Sequence, residues 1–352
     1  MSPQSRRSLL SLSIAALTFS AMCLTPAHAA TTELTRPKIG FLMDSLKVER
    51  WQTDLDTFQK RAKELGAEVL VETADGDDDL QLQQSRKLMD AGAKVLVLVP
   101  HDTDKAARIV SAAKARNVQV LCYERMVRNS NIDFFVGVDA AAIGELQASS
   151  LVRLAPKGNY VLIGGSPTDI NAKIIHEGQM RVLQPLIDRG DIRIIADAYA
   201  KDWDPAEAYA LMAQALESSK GNVTAVVAAN DGTAGGAIQA LQEHHLDGKV
   251  LVSAQDADLA AVIRILSGTQ TMTVYRLFSL EAKLAAEAAV DLGAGIWVKN
   301  AVTISNGSQT VPALFVTPVV VTKHNVKQTV IKDGFQNLAT IQKSLPKDKW
   351  PQ

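Results

Sequence analysis

The chain has little that would let it form disulfides, cross a membrane or bind nucleic acid. Its 352 residues include two cysteines, Cys23 and Cys122, and carry a formal net charge of −1. There is therefore no basic excess to indicate nucleic acid and no acidic tail. Beyond the first thirty residues, no segment reaches the ~18 uninterrupted apolar residues of a membrane helix. With 47% hydrophobic residues, the chain is long enough for two packed domains.

The first thirty residues have the pattern of a secretory signal. Two arginines at 6–7 precede an apolar stretch at 9–24, and the sequence AHA at 27–29 has the small residues of a cleavage site. We expect the signal peptide, residues 1–29, to be removed after Ala29, so that the mature protein reaches the periplasm. The paired arginines also faintly resemble a twin-arginine signal, which leaves the general secretory and twin-arginine routes both open.

Cysteine chemistry has no predicted part in the mature protein. Met22 precedes Cys23 and is too large for a usual lipoprotein site, so we expect no lipid anchor. Cleavage leaves Cys122 alone, and no internal disulfide can form. Because Cys122 lies in the apolar run VQVLCYE, we interpret it as a buried, inert thiol.

Short apolar runs alternate with stretches of helical period along the rest of the chain. Several runs are continuously apolar, as are strands that are buried on both faces of a parallel sheet. The segment 51–67 repeats apolar residues at 51, 55, 58, 62 and 65, which is a helical stripe. This alternation predicts βαβ units with right-handed crossovers. The predicted strands are 38–44, 68–74, 94–100, 118–124, 133–139, 159–165, 192–198, 223–230, 250–256 and 271–276.

Ten strands exceed what one compact doubly wound sheet usually carries. We therefore predict an α/β fold in which two doubly wound parallel-sheet lobes are joined by a multi-strand hinge. The chain is expected to cross between lobes near 137–141, 268–273 and 302–312. The predicted N-terminal lobe comprises 35–138 and 273–304, the C-terminal lobe comprises 139–272 and 305–340, and a tail follows at 341–352.

Polar side chains follow nearly every predicted strand. Ligands of open α/β sheets bind beyond the carboxyl ends of the strands, so these side chains are binding candidates. Carboxylates accept hydrogen bonds, guanidinium groups donate them and carboxamides do both, which suits the hydroxyl groups of a small, uncharged, polyhydroxylated ligand. Trp51 or Trp203 could stack on the apolar face of a sugar ring. The other candidates are Asp44, Arg50, Glu124, Arg125, Asn171, Asn230, Asp256 and Arg276.

Each of these residues alone also fits a structural role. Asp231 and Asp256 could cap the helices that follow them. Arg125 and Arg276 could pair with surface acids, and Trp203 could be a hydrophobic staple before a helix. The recurrence of polar residues at eight strand ends favours a shared ligand site.

Motifs for metals, phosphates and hydrolytic catalysis are incomplete or lacking. The acidic segment 74–85 resembles a calcium loop, but Leu80 and Arg86 stand where that loop needs Gly and Glu. We interpret this segment as an acidic first helical turn. The histidines are scattered, and no GxGxxG, P-loop or GxSxG motif occurs. We therefore expect no metal, no cofactor and no catalytic residues.

Six segments carry a resemblance to a known family. They resemble the xylose-binding branch of the type I periplasmic sugar-binding proteins from about Lys38 to Gly334. The resemblance implies two lobes that close on a monosaccharide, with D-xylose as the first expectation, and no enzymatic activity. The segments are KIGFLMDSLKVERWQTD, CYERM, GGSPTDINAK, NDGTAGGAIQAL, SAQDADLA and GTQTMTVYR.

The resemblance also implies partners and competing functions. The expected partners are the permease and ATPase of an ABC importer, with a chemoreceptor as a further partner, and the protein is expected to be a monomer. Alternatives are another pentose or hexose (ribose, arabinose, glucose or galactose) and, more remotely, an exported sugar-modifying enzyme that uses Asp256 or Glu124 as a base. A regulator of the lac-repressor type would need a DNA-reading domain where the signal peptide stands.

The resemblance implies a set of sugar contacts at matching positions. Asp44 and Trp51 are additional candidates, and we expect Trp51 to begin the helical core stripe. Two positions depart from the branch, which usually carries Asp where this chain has Glu124 and Lys where it has Arg276. The implied contacts are Arg50, Glu124, Arg125, Asn171, Trp203, Asn230, Asp256 and Arg276.

Overall fold

The computed structural model describes residues 37–48 and 50–351. The predicted signal peptide, its cleavage site and the arginine pair lie outside these residues. Within them, no helix is long and apolar enough to span a membrane.

Seven strands form the first sheet. Their spatial order is 11-12-5-4-3-1-2, counting all strands in chain order. All neighbours pair in parallel except the outermost two, which form an antiparallel hairpin. The strands are β1 (Lys38–Met43), β2 (Glu68–Thr73), β3 (Val95–Leu98), β4 (Gln119–Tyr123), β5 (Phe134–Val138), β11 (Val302–Ser305) and β12 (Thr310–Val316).

Six strands form the second sheet, in the order 13-10-9-8-6-7. The last strand pairs antiparallel with its neighbour, and the others are parallel. The strands are β6 (Gly158–Gly164), β7 (Ile192–Tyr199), β8 (Ala225–Ala228), β9 (Leu251–Gln255), β10 (Met272–Tyr275) and β13 (Val319–Val321). Two mixed but mainly parallel sheets thus confirm the predicted two-lobe α/β fold.

Helices cover both faces of the sheets. Phe41 and Leu42 in β1 show how: Phe41 packs in a cluster with residues of the first and ninth helices, and Leu42 packs with residues of the second and third. This two-sided burial explains why the strands are continuously apolar. The helices are α1 (Arg50–Glu64), α2 (Asp78–Asp90), α3 (Ala107–Lys114), α4 (Ala140–Val152), α5 (Ile170–Asp188), α6 (Pro205–Ser219), α7 (Asp231–Glu243), α8 (Leu259–Ser267), α9 (Phe278–Gly293) and α10 (Leu338–Ser344).

The predicted strands and first helical stripe agree with the structure except at their edges. Each predicted apolar run contains or overlaps one of β1 to β10. In α1, the stripe buries Trp51, Leu55, Phe58 and Ala62, but Leu65 lies past the end of the helix and is exposed. The acidic segment 74–85 does supply the first turn of α2, with Asp77 as the N-cap.

The chain passes between the sheets later than predicted at two of the three points. β10 belongs to the second sheet, while α9 packs on α1 beside the first. The segment 302–312, read as a passage, instead forms most of the β11–β12 hairpin of the first sheet. Turn-rich composition marks loops but does not identify the sheet that an edge strand joins. The lobe boundaries themselves remain a prediction.

Candidate functional site

One cavity brings together residues that follow strands of both sheets. It encloses about 430 Å³ of space between atoms, part of which is open solvent. The cavity is lined by all eight implied contact residues and by Trp51, namely Arg50, Trp51, Glu124, Arg125, Asn171, Trp203, Asn230, Asp256 and Arg276.

Arg50 begins α1 and is nevertheless buried, with 1% of its surface exposed. Its Nε and Nη2 atoms donate to Asp54 Oδ2 at 3.0 and 2.5 Å, one helical turn further on. The guanidinium carbon lies 4.2 Å from the ring centre of Trp51 and 4.3 Å from that of Phe278. The rings and the carboxylate replace the water that this cation loses. Trp51 is therefore both a core residue, as expected, and part of the cavity wall.

Arg276 connects two carboxylates that follow other strands. Its Nη1 atom donates to Glu124 Oε2 at 2.6 Å, and its Nη2 atom donates to Asp256 Oδ1 at 3.0 Å. Arg50 Nη1 lies 3.3 Å from the same Glu124 oxygen. Charge-assisted contacts of this kind are stronger than neutral hydrogen bonds, and they fix the carboxylates at the cavity edge.

The backbone turns Glu124 and Asp256 toward the cleft in the same way. Both residues have positive φ values, 66° and 104°, at the first position after their strands. The backbone N–H of Glu124 donates to Val136 O at 2.8 Å, and that of Asp256 donates to Val274 O at 2.9 Å. Non-glycine residues rarely adopt this conformation, and it is typical of functional sites.

Arg125 joins the two lobes. Its Nη1 atom donates to Asp44 Oδ2 at 2.7 Å and to Pro100 O at 3.0 Å, and both of these residues follow strands of the first sheet. Its Nε atom lies 2.6 Å from Oδ2 of Asp169, the N-cap of α5. Asp44 lines an adjacent cavity, not the main one, and its link to the site is its hydrogen bond from Arg125.

Asn171 and Trp203 line the cavity from the second lobe. Asn171 Nδ2 donates to the backbone oxygen of Glu124 at 2.8 Å. Trp203 Nε1 donates to Asp169 Oδ2 at 3.3 Å. A Cβ atom on Gly165 would lie 2.3 Å from the Trp203 ring, so the ring can lie there because position 165 has no side chain.

The structure shows which residues cap the helices that follow the strands. Asn230 rather than Asp231 caps α7, through a capping box with Thr233, and its Nδ2 atom also reaches Asp256 Oδ2 at 3.4 Å. The N-cap residue of α8 is Asp258, whereas Asp256 pairs with Arg276. The interpretation of Asp231 and Asp256 as caps was therefore wrong.

The structural roles considered for Arg125, Arg276 and Trp203 also differ from what the structure shows. Arg125 and Arg276 pair with buried acids rather than surface acids. Trp203 does precede α6, but it packs with buried residues of α4 and β10. Each of the three side chains thus belongs to the cavity wall.

Burial controls the charge of the carboxyl groups. It raises the pKa of Asp256 to about 6, against the opposing effect of Arg50. Burial likewise raises the pKa of Asp54 to about 6 despite its contact with Arg50. It acts to lower the pKa of Arg125, but Asp169 and Asp44 raise that pKa above its ordinary value. The guanidinium groups thus stay charged while some carboxyl groups titrate near neutrality.

Five polar atoms of the cavity wall are buried without a hydrogen-bond partner among the described residues. They are three donors, Arg50 Nη1, Trp51 Nε1 and Arg276 Nε, and two acceptors, Glu124 Oε1 and Gln255 Oε1. Buried polar groups normally have partners, so such atoms mark where a ligand or water binds. Hydroxyl groups, which donate and accept, could satisfy all five.

Sequence reasoning missed three polar residues of this region. Gln255 is the last residue of β9 and lines the cavity, and its polarity in an apolar run was the available signal. Asp54 stands one helical turn after Arg50, a spacing that indicates an ion pair. Glu281 in α9 is buried beside Arg50, and no local pattern distinguishes it from a surface helix residue.

Comparison with known proteins agrees with this architecture. The periplasmic binding protein domain profile matches residues 39–296. The D-xylose-binding periplasmic protein of Escherichia coli is 47% identical over 85% of this chain and 90% of its own length. That of Haemophilus influenzae is 46% identical over 86% and 92%, respectively.

A solved structure extends the comparison to three dimensions. A carbohydrate transporter solute-binding protein from Chloroflexus aurantiacus, in complex with D-glucose, superposes with a TM-score of 0.80. It is 28% identical and covers 86% of this chain and 97% of its own. The chain therefore belongs to the family of periplasmic binding proteins, as a substrate-binding protein of the periplasm and not an enzyme.

Proposed function

We propose that the protein captures a monosaccharide, with D-xylose as the first candidate, and delivers it to an ABC-type importer. The observation that supports this most directly is the set of five cavity-wall atoms without a hydrogen-bond partner among the described residues, on Arg50, Trp51, Glu124, Gln255 and Arg276. The names of the two D-xylose-binding relatives favour this pentose over other sugars. The proposed contacts are Arg50, Glu124, Arg125, Asn171, Trp203, Asn230, Asp256 and Arg276.

The chemistry of the cavity favours a neutral ligand. Every arginine that lines the cavity in the described part of the chain already pairs with carboxylates, so none is left to bind an anionic group. These arginines are Arg50, Arg125 and Arg276. Sugar hydroxyls would accept from the guanidinium groups and donate to the carboxylates. Trp51 and Trp203 would contact the apolar face of the ring.

The size of the ligand is compatible with useful affinity. Hydrogen bonds to charged groups contribute about 1.5–3 kcal/mol each, before desolvation is subtracted. Micromolar binding needs about −8 kcal/mol. A pentose has about ten heavy atoms, so a binding free energy of this size stays within the ceiling of about −1.5 kcal/mol per heavy atom.

Binding would be coupled to closure of the two lobes. Arg125 with Asp169, and Asn171 with the Glu124 carbonyl, are contacts that an open form would lose. Sugar would bind to one lobe, and the other would close over it by a hinge motion. The mature protein, cleaved after Ala29, would act as a monomer. The permease and ATPase of the importer would recognise its closed surface, and a chemoreceptor would be a further partner.

Titration calorimetry of residues 30–352 tests this function. We expect one-to-one binding of D-xylose that is at least tenfold tighter than binding of L-arabinose, D-ribose, D-glucose or D-galactose, a margin of about 1.4 kcal/mol. Tighter binding of another of these sugars would keep the receptor role and replace the ligand. Heat changes indistinguishable from dilution for all five sugars would contradict the proposal.

A further inference from the structure

Glu281 is a buried acid that the proposed sugar contacts do not include. It lies in the first turn of α9 with 0% of its surface exposed. Its Oε2 atom is 4.0 Å from Arg50 Nη2. Neither carboxyl oxygen accepts a hydrogen bond from a donor within the part of the chain that the structure describes, and the side chain that faces it is the carboxyl group of Glu124. An ionised carboxylate in this position would be poorly compensated.

Acids outnumber cations in this part of the molecule. Four carboxyl groups surround two guanidinium groups, and each of these six residues is at most 5% exposed. If all were ionised, the buried cluster would carry two uncompensated negative charges, which is costly in a dry environment. At least one carboxyl group is therefore expected to hold a proton. The acids are Asp54, Glu124, Asp256 and Glu281, and the cations are Arg50 and Arg276.

The contacts indicate which acid holds that proton. Asp54 accepts from Arg50, and Glu124 and Asp256 accept from Arg276. Glu281 accepts from neither. Burial and the neighbouring Glu124 raise the pKa of Glu281 well above its ordinary value, more than Arg50 lowers it. The titratable groups that face it are Arg50 and Asp54 from α1, Tyr123 from β4, and Glu124.

We propose that Glu281 is a positioning residue of the sugar site, which as a neutral acid donates a hydrogen bond to Glu124 and holds that carboxylate toward the cavity. A carboxylate has about four acceptor positions, so Glu124 can accept from Glu281, Arg276 and a sugar hydroxyl together. Ionisation of Glu281 would replace this hydrogen bond by repulsion between two carboxylates. Sugar affinity should then fall as the pH rises. This inference rests on the proposed function.

Three variants separate positioning from a merely structural role. Glu281→Gln keeps a neutral donor and cannot ionise, whereas Glu281→Leu keeps the volume and removes the donor. Glu287→Gln is the matched control, because Glu287 lies on the same helix with its side chain 43% exposed and paired with Arg61. Calorimetry at a series of pH values from about 7.5 upward would use the sugar that the wild type binds most tightly. This series lies above the pKa values of about 6 to 7 of Asp54, Asp256 and Asp231, while burial and Glu124 raise the pKa of Glu281 well above its ordinary value.

We expect wild-type and control dissociation constants to rise as the pH rises through this series, because ionisation of Glu281 opposes binding. Glu281→Gln should bind at nearly constant affinity, and Glu281→Leu should bind about tenfold more weakly throughout. Wild-type pH dependence in Glu281→Gln, or wild-type affinity in Glu281→Leu, would overturn the proposal. If Glu281→Leu does not fold, the Glu281→Gln pH profile decides.

Infrared spectroscopy provides a readout that needs no sugar. At a pH above the pKa values of about 6 to 7 of Asp54, Asp256 and Asp231, the wild type should show a buried protonated carboxyl band that is lost in Glu281→Gln and retained in Glu287→Gln. An unchanged band in Glu281→Gln would place the proton elsewhere and overturn the inference. If the wild type binds none of the tested sugars, the proposed function fails, while this band still reports whether Glu281 is neutral.

Discussion

Arg276 Nη1 donates to Glu124 Oε2 at 2.6 Å, although 152 residues separate the two in the chain. Among the implied sugar contacts, these are the two positions at which the resemblance implies another residue, aspartate for Glu124 and lysine for Arg276. A glutamate is one methylene longer than an aspartate, which moves its oxygens by about 1.3–1.5 Å. The contact between the two side chains means that the two positions are coupled, so that a change at one alters what the other can reach.

A double-mutant cycle tests whether the two departures are coupled. Glu124→Asp and Arg276→Lys should each weaken binding of the preferred sugar about tenfold, because each change alone opens the 2.6 Å contact. The double variant should bind little more weakly than either single variant, because the contact can be lost only once. Calorimetry on all four proteins gives the coupling free energy, which we expect to be about 1 kcal/mol or more. Strictly additive losses would mean that the pair is not a unit.

Asp256 provides a test of the cavity that spares the packing of α1. Asp256→Asn keeps the shape of the side chain but weakens its contact with Arg276, so sugar binding should fall at least tenfold. Arg50→Ala is less informative, because it would leave Asp54 buried without its cation and destabilise the fold by about 3–5 kcal/mol.

The control for this measurement is Glu217→Gln, a change at an exposed position of α6. It should bind sugar as the wild type does. Equal affinity of Asp256→Asn and the wild type would remove Asp256 from the proposed contacts.

Gly165→Ala should displace the Trp203 ring. The new Cβ atom would lie 2.3 Å from ring atoms of Trp203, closer than any real contact allows. We expect sugar affinity to fall about tenfold while the thermal midpoint changes little, since the ring is only partly buried. Calorimetry and tryptophan fluorescence check the two effects.

Gly232→Ala is the matched control, because its Cβ atom would meet neighbours at no less than 3.5 Å. If Gly165→Ala binds sugar normally, Trp203 contributes nothing to the site.

The sugar-free protein should be more stable at mildly acidic pH than above neutrality. Burial raises the pKa of Asp54 and of Asp256 to about 6, and that of Asp231 to about 7. The unfolded chain loses these protons near pH 3.9, so the folded state binds more protons in between and its stability falls as the pH rises. His176, whose pKa is raised by its hydrogen bond to Asp197, acts in the same direction.

Urea unfolding measures this dependence. The free energy of unfolding should be about 2 kcal/mol lower at about pH 7.5 than at about pH 5.5. Asp231→Asn should show a smaller difference, because it removes the group with the highest of the three values. A free energy of unfolding that increases over this interval would contradict the assigned directions.

Much of the fold and the site could be predicted from local patterns. Continuous apolar runs identified β1 to β10, since strands covered on both faces must be apolar along their whole length. Positions directly after strands identified Glu124, Asp256 and Arg276, because parallel strands bring their carboxyl ends to one edge. Three strands escaped. β11 is short and mostly exposed, β13 has three residues, and Pro312 interrupts the apolar pattern of β12.

The sequence by itself determined the alternation of strands and helices, and with it a cleft bordered by acids, arginines and amides. Only the tertiary structure decided which of these groups meet. The way the two sheets face each other decides that Arg276 contacts Glu124 and Asp256. It also decides that Asp44 pairs with Arg125 rather than lining the main cavity. The burial of Glu281 is decided in the same way, because α9 leaves one lobe and packs on the other. Such contacts join residues that are far apart in sequence. Hydrophobic periodicity predicts which face of a helix or strand is buried, but not which other element packs against it.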